Sequence, residues 1–329
     1  MIFGSVPLSE AEGAVLAHSV PLDGGRLRKG KLLAVADIAT LAAAGVDEVI
    51  VARLEAGDVS EDAAAARLAQ ALVPDAARAG LRISKAATGR VNIFAECLGV
   101  AEVEAAKIDA INAVHPMITV ATVPEWQRMA LRGMVATVKI ISYAVPEVAL
   151  ERSCVLGQDG LRMRPVTVRR AQLIQTFVES DDGVKGQKAI GDRLERLGGA
   201  LDDICLVRHE TAPLAAAINA SEAEAIFILT ASATSDVADV APSALRAAGG
   251  RVIHYGMPVD PGNLLFYGDL NGVPVIGLPG CARSPALNGA DWVMERMLCG
   301  VPVTPRDIAG MGVGGLLKEI PTRPRPREG

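Results

Sequence analysis

Five apolar residues, Ala225–Leu229, followed at once by small polar ones, are the feature that most constrains the fold. Their number and composition predict a buried strand. Small residues continue from Thr230 to Ser235, and Asp239 precedes a helical pattern. A strand that passes through such a loop into a helix leaves backbone N–H groups at the carboxyl edge of a sheet, where the helix dipole favours an anion. The stretch therefore predicts an α/β fold with an anion-binding loop.

A second stretch of the same kind lies near residue 280. Residues 273–277 predict a short strand, Leu278-Pro279-Gly280 a turn, and Ser284 the start of a helix. Two such loops facing one crevice form a ligand site in an open α/β sheet. The alternative is that both are ordinary connections between a strand and a helix. Strands and helices alternate from residue 169 onward, which predicts a doubly wound, mostly parallel sheet.

The regions before this sheet predict smaller units, first an α/β region and then an α+β domain. Residues 89–100 predict a strand that leads into a short helix. Gln158-Asp159-Gly160 lies between two short extended runs and predicts a hairpin. A tail rich in proline and charge predicts a linker or disorder. The predicted segments are 1–78 for the N-terminal α/β region, 79–150 for the α+β middle domain, 151–168 for the connecting hairpin, 169–305 for the larger α/β domain and 306–329 for the tail.

Composition argues against several classes of protein. Hydrophobic residues make up 50% of the chain but aromatic residues only 3%, which disfavours a nucleic-acid binder that stacks bases on aromatic rings. A net charge of −5 provides no overall attraction to nucleic acid or acidic membranes. The five cysteines are scattered, lack metal-site spacing and predict reduced thiols. The sequence shows neither a signal-peptide pattern nor an apolar run of about 18 residues, so we expect a soluble, cytoplasmic protein.

Three motifs follow one another in the larger α/β domain, namely TASATSDVAD (230–239), DPGNLLFYG (260–268) and GLPGCARS (277–284). Their order resembles the molybdopterin-binding domain that molybdopterin molybdotransferases and molybdopterin adenylyltransferases share. Ala231-Ser232 stand where those families carry a Gly-Gly pair, Thr234 where the transferases carry Ser, and Asp239 at the acidic position. The likeness covers residues 169–298, about one compact domain. It also associates the acidic turn at 179–183 with the site.

The resemblance implies a site for molybdopterin, which carries a phosphate and a dithiolene. Such a site needs amide donors, hydroxyl groups and a cation, and Arg283 is the nearest cation evident in the sequence. Asp239 is the implied catalytic residue, and a helix N-cap is its structural alternative. Metal ligands stay open, although molybdate and Mg²⁺ belong to the implied chemistry. The implied ligand-binding residues are Thr230, Ala231, Ser232, Ala233, Thr234, Pro279, Gly280, Arg283 and Ser284.

The motifs also depart from the family pattern. Ala231-Ser232 add two Cβ atoms where the backbone of the family approaches its ligand. Asp260 and Asn263 stand where the molybdotransferases carry lysines, and no Lys or Arg occurs between residues 251 and 283. Loss of a cation weakens the stabilisation of an anionic reactant. Ordinary molybdotransferase activity is therefore in question.

The resemblance implies molybdopterin binding in molybdenum cofactor biosynthesis by a divergent molybdotransferase-like protein, and it leaves open whether the protein is an enzyme. One alternative is a non-catalytic carrier that delivers the cofactor to a molybdoenzyme. Others are molybdopterin adenylyltransferase-like activity and a structural partner whose site has decayed. The implied partners are molybdopterin and a molybdoenzyme or another cofactor-biosynthesis protein, with no nucleic acid and no membrane. These families commonly oligomerise, so a homo-oligomer is expected.

Overall fold

The computed structural model describes residues 1–179, 186–202 and 204–317. The chain divides into two compact units. The first comprises Met1–Cys97 and Ala101–Met163, and the second comprises Leu98–Val100 and Arg164–Gly329. Of the helices in the described ranges, none is both long enough and apolar enough to cross a membrane.

The first 60 residues build a small antiparallel sheet with a helix. In chain order the elements are β1 (Ile2–Pro7), β2 (Val15–Leu16), β3 (Val20–Leu22), β4 (Gly25–Leu27), α1 (Val35–Ala43), β5 (Glu48–Arg53) and β6 (Asp58–Ser60). Strand β5 lies between β1 and β2, and both pairs are antiparallel. Val49 and Val51, two positions apart on β5, share one core with Leu41 of α1. Glu48 and Ile50, on the other face of the strand, are exposed.

The stretch 61–165 combines antiparallel sheets with helices and belongs to the first unit apart from residues 98–100 and 164–165. Its elements are α2 (Glu61–Leu72), β7 (Leu81–Ile83), β8 (Arg90–Ala95), β9 (Gly99–Val103), α3 (Ala105–Asn112), β10 (Ile118–Thr122), β11 (Arg128–Met129), β12 (Met134–Ile140), β13 (Ala144–Pro146), α4 (Glu147–Gly157) and β14 (Leu161–Pro165). One sheet has the order β10-β12-β8-β7. Helix α2 packs on β8 and β12 and against α4, burying Leu68, Leu72 and Leu150 in one core.

Two predictions for this region are wrong. Residues 89–100 form β8 and the start of β9 rather than a strand and a short helix, because buried residues alternate along β8. The predicted connecting hairpin at 151–168 is replaced by helix α4 followed by β14. Leu150, Ser153 and Gly157 are the buried residues of α4, at spacings of three and four that place them on one helical face. The turn at Gln158-Asp159-Gly160 therefore joins a helix to a strand.

The second unit alternates strands and helices. Its elements are β15 (Arg170–Phe177), α5 (Gln187–Glu195), β16 (Ala200–Leu201), β17 (Cys205–Arg208), α6 (Thr211–Ala220), β18 (Ala225–Leu229), α7 (Val240–Ala247), β19 (Arg251–Tyr255), β20 (Phe266–Leu270), β21 (Val273–Leu278), α8 (Gly289–Leu298) and α9 (Pro305–Gly310). Strand β15 pairs in parallel with β16, β17 and β18, and β18 in parallel with β21. Strand β20 pairs antiparallel with both β21 and β19. The mixed sheet confirms the α/β class, whereas the doubly wound arrangement stays a prediction.

Both faces of this sheet carry buried residues. On one face Ile226 packs with Leu214 of α6 and Leu245 of α7. On the other face, four paired residues form a row across neighbouring strands, and all four side chains are buried. They are Leu173, Phe227, Ile276 and Tyr267. A strand that is buried on both faces needs a continuous apolar run, which is why β18 contains no polar residue.

The helix expected to start at Ser284 starts later in the structure. Residues Gly280–Arg283 form a short 3-10 helix, and α8 begins only at Gly289. Asn288 is the N-cap of α8, because its side chain accepts a hydrogen bond from the Ala290 amide. Asparagine is a favoured N-cap residue, so Asn288 marks the start of this helix more directly than Ser284 does.

The tail expected from residue 306 also begins with regular structure. Thr304 and Asp307 form a capping box, and Pro305 occupies the first turn, so the short helix α9 starts here. Residues 318–329, the remainder of the predicted tail, lie outside the described range.

The close approach between β20 and β21 provides a test of the packing. A Cβ atom at Gly277 would overlap the ring of Phe266 on the neighbouring strand. We expect Gly277→Ala to lower stability by about 1–3 kcal/mol, or more if the ring cannot move. Urea unfolding measures the loss. Gly310→Ala is the control, because its Cβ would meet nothing within 4 Å, and a wild-type midpoint for Gly277→Ala would contradict this packing.

Candidate functional site

The two loops singled out in the sequence leave the sheet side by side. Leu229 at the end of β18 pairs in parallel register with Leu278 at the end of β21. The chain then enters the loop 230–239 on one strand and the loop 279–288 on the other. The Arg283 Nη2 group donates a hydrogen bond of 2.7 Å to the Thr230 carbonyl. The first and third motifs therefore meet at the carboxyl edge of the sheet.

The Pro-Gly pair of the second motif contacts the start of α8, directly after that loop. The Gly289 amide donates to the Pro261 carbonyl at 2.8 Å. A Cβ atom on Gly262 would lie 2.8 Å from the Gly289 nitrogen, and the φ angle of Gly262 is +144°. Only glycine allows this backbone conformation and this close approach without strain. The antiparallel pairing of Phe266 with Gly277 connects the second motif to the third as well, so all three motifs are linked.

A buried guanidinium group holds the loop that follows β21. Arg193 on α5 is only 4% exposed, and its partner Asp291 on α8 is 5% exposed. The Arg193 Nε group donates to the Asp291 carboxylate. The two terminal nitrogens donate to the carbonyls of Ala189 (2.9 Å), Ala282 (3.0 Å), Ser284 (2.9 Å) and Ala286 (3.0 Å). A guanidinium has five N–H groups, so this set uses all of them.

Internal hydrogen bonds fix the loop that follows β18. The buried Thr176 hydroxyl, near the end of β15, accepts a 2.8 Å bond from the Ala231 amide. Thr230 Oγ1 donates to the Ser232 carbonyl at 2.6 Å, and the Tyr255 hydroxyl donates to the Thr234 carbonyl at 2.9 Å. Neither Ala231 nor Ser232 has a positive φ angle. The loop thus accommodates two Cβ atoms where the resembled families have glycines.

Three consecutive amides of this loop have no hydrogen-bond acceptor among the residues that the structure describes, those of Ser232, Ala233 and Thr234. Ser232 and Ala233 are exposed, and Thr234 is buried. Backbone N–H groups grouped in one loop, with no bulky side chain beside them, are suitable donors for an anion.

Asp239 occupies the N-cap of α7. One carboxylate oxygen accepts from the Val240 amide at 2.7 Å and the other from the Ser235 amide at 2.9 Å. The hydrogen bonds from Ser235 and Val240 lower the pKa of the Asp239 carboxyl. A carboxylate held in this way stays ionised and is a weak base. The capping alternative is therefore present, and the catalytic role stays a prediction.

The remaining predicted ligand-binding residues differ in solvent exposure and in their hydrogen bonds. Pro279 is buried and Gly280 is exposed at the start of the loop. The Ser284 hydroxyl accepts a 3.3 Å bond from the Ala286 amide, within the stretch that Arg193 holds. Of the acidic turn 179–183, only Glu179 lies inside the described residues.

Sequence reasoning did not assign Arg193, Thr176, His209 or Tyr255 to this region. Each acts on a residue far away in the chain, as Thr176 does on Ala231, so local spacing carries no signal for them. Within the described ranges, no group of three or more His, Cys, Asp or Glu side chains is placed to hold a metal ion.

Comparisons with known proteins give weak likenesses. A family model described as "Domain of unknown function (DUF8806)" matches residues 5–53, and no curated protein matches the chain. A molybdopterin biosynthesis MoeA protein from Pyrococcus horikoshii is 14% identical with a TM-score of 0.30, over 94% of this chain and 76% of that one. A molybdenum cofactor biosynthesis protein from Pyrococcus furiosus is 12% identical with a TM-score of 0.24, over 94% of this chain and 65% of that one. At these scores neither likeness carries an argument about this chain.

The buried ion pair predicts a large effect on stability. Arg193→Met leaves the Asp291 carboxylate buried without its partner, and we expect a loss of about 3–5 kcal/mol in urea unfolding. Arg193→Met combined with Asp291→Leu should recover part of this loss, because no unpaired charge is left. Lys188→Met removes an exposed pair with Asp192 on the same helix and should change little. Equal effects of Arg193→Met and Lys188→Met would contradict the structural role of Arg193.

The Asp239 cap predicts a dependence of stability on pH. Asp239→Ala should cost about 0.5–2 kcal/mol at neutral pH, the usual loss of an N-cap. Because the folded pKa of Asp239 lies below its ordinary value, the ionised carboxylate stabilises the fold above about pH 4, and this contribution is lost as the pH falls through the folded pKa. The advantage of wild type over Asp239→Asn in urea midpoint should therefore shrink in acid. A difference that is constant with pH would contradict the capping role.

Proposed function

We propose that the carboxyl edge of the second unit's sheet binds molybdopterin, as part of molybdenum cofactor biosynthesis. The observation that carries the proposal is the set of three adjacent amides at Ser232, Ala233 and Thr234, next to the loop that carries Arg283. The phosphate of molybdopterin would accept hydrogen bonds from these amides. The resemblance of the three motifs to molybdopterin-binding domains adds the identity of the ligand.

The donors present fit a phosphate better than they fit a reacting oxyanion. Backbone amides provide hydrogen bonds, and Arg283 provides a positive charge, although its Nη2 group already donates to the Thr230 carbonyl. Asp260 and Asn263 stand at the places of the family's lysines, so the second motif adds no positive charge. Bringing molybdate, a dianion, to this edge would require more charge than these residues supply.

These considerations favour a binding protein over a transferase. Both carboxylate oxygens of Asp239 accept hydrogen bonds from backbone amides, and the lowered pKa of this carboxyl makes it a weak base. We therefore propose a non-catalytic carrier that holds molybdopterin and delivers it to a molybdoenzyme or to another cofactor-biosynthesis protein. In this proposal Asp239 shapes the loop by capping α7 and takes no part in proton transfer.

Retention of the ligand tests the proposal. The purified full chain is mixed with molybdopterin and desalted, and the retained ligand is measured by the fluorescence of its oxidised pterin. We expect wild type to retain molybdopterin and Arg283→Ala to bind it about tenfold to hundredfold more weakly, the loss typical of a hydrogen bond to a charged group. Arg196→Ala, which removes an exposed arginine just after α5, should bind like wild type.

Two further measurements test the role of Asp239 and distinguish a carrier from a transferase. Asp239→Asn should retain molybdopterin nearly as well as wild type, because asparagine also caps helices. Addition of molybdate should leave the bound ligand unchanged if the protein is a carrier, whereas formation of the metallated cofactor would identify a transferase. Loss of the ligand from wild type on desalting would refute molybdopterin binding.

A further inference from the structure

His209 lies at the same edge of the sheet as the loop 230–239. It directly follows β17, and its amide donates to the Phe177 carbonyl at 3.0 Å, which continues the pairing of β17 with β15. Its Nδ1 atom lies 3.0 Å from Thr176 Oγ1. The same hydroxyl oxygen accepts the Ala231 amide. One buried hydroxyl therefore links the imidazole to the loop that carries the three amides.

The hydrogen bond between Thr176 and Nδ1 determines whether Nε2 of His209 carries a proton that it can donate to a ligand. When the Thr176 hydroxyl donates to Nδ1, a neutral imidazole carries its proton on Nε2. When the imidazole is protonated, Nδ1–H donates to the hydroxyl oxygen, and Nε2 again carries a proton. If the Thr176 hydroxyl is the donor to the neutral ring, Nε2 is an N–H donor in both charge states. This arrangement resembles the way an outer partner fixes the tautomer of a metal-bound histidine.

Charged groups near His209 include its two neighbours in the chain and Asp239. Arg208 and Glu210 are its neighbours in the chain, and both are exposed. Hydrogen bonds from the Ser235 and Val240 amides, and to a smaller extent attraction to His209, lower the pKa of the Asp239 carboxyl. Asp239 is already held by two amides. No hydrogen bond ties Nε2 to another described residue.

We propose that His209 is an anion-contacting residue of this edge, donating from Nε2 to a phosphate that the loop amides also bind. The proposal rests on the proposed function for the identity of the ligand, but the anion site it describes can be tested alone. Thr176 is the positioning residue, because it holds Nδ1 and the Ala231 amide together. His209 adds a donor, and in its protonated form a charge, that the sequence motifs do not contain.

Inorganic phosphate is the probe that isolates this inference. The sequence contains four histidines, so the imidazole nitrogens of the labelled full chain give an NMR spectrum that substitutions can assign. We expect phosphate to shift the His209 Nε2 resonance along a saturating curve. His209→Phe should weaken phosphate binding about tenfold to hundredfold, and His209→Gln, which keeps an N–H donor without a charge, should fall in between.

Two controls separate binding from folding. His115 lies in the first unit, and its Nδ1 accepts the Met117 amide at 3.2 Å, so its ring is also fixed by one partner. His115→Gln should bind phosphate like wild type. Thr176→Val should shift the His209 Nδ1 resonance and weaken binding, whereas Thr176→Ser should restore both, which a merely structural role of Thr176 would not require.

The outcomes distinguish the two proposals. Phosphate binding that depends on His209, without retention of molybdopterin, would support the anion site and refute the proposed ligand. Retention of molybdopterin with equal affinity by wild type, His209→Gln and His209→Phe would overturn the role of His209 and leave the proposed function standing. Binding of neither phosphate nor molybdopterin by folded wild type would overturn both.

Discussion

The arrangement of the site depends on the buried guanidinium of Arg193. Moving a charge out of water costs several kcal/mol, and the cost is offset here because all five N–H groups have acceptors. Three of those acceptors are carbonyls of the loop between β21 and α8, a stretch with little regular structure. The carbonyl of the buried Ala282 would otherwise lack a donor. Arg193 thus gives an irregular loop one conformation, and that conformation directs Arg283 towards the Thr230 carbonyl.

The mixed sheet explains why the motifs meet although they are far apart in the chain. Parallel pairing of β18 with β21 brings two carboxyl ends together, while β20 returns antiparallel beside β21. The segment before β20 can therefore reach the start of α8, where the Pro261 carbonyl accepts the Gly289 amide. The directions of the backbone strands and the glycine at position 262 bring these segments together, and the side chains of Arg193 and Arg283 then hold the loops in place.

Much of the fold was readable from the sequence because it follows from local patterns. Strand β18 has the predicted bounds, since it is a short apolar run ending at a clear change of residue type. Helix α4 was missed because its buried positions include Ser153 and Gly157, which do not read as an apolar face. The adjacency of the two loops was expected, but the buried pair that fixes the loop after β21 was not, because Arg193 and Asp291 are 98 residues apart. A long-range pair leaves no signature in a single sequence.

The amides of Ser232, Ala233 and Thr234 have a consequence for how such a site tolerates evolutionary change. Every residue except proline carries the same backbone N–H group, so side-chain replacement in this loop does not remove a donor. The φ angles at Ala231 and Ser232 are ones that any L-residue adopts. Glycine at these places is therefore dispensable to the donors themselves. A loop of this kind can drift far in sequence while the pattern of dipoles it presents stays the same.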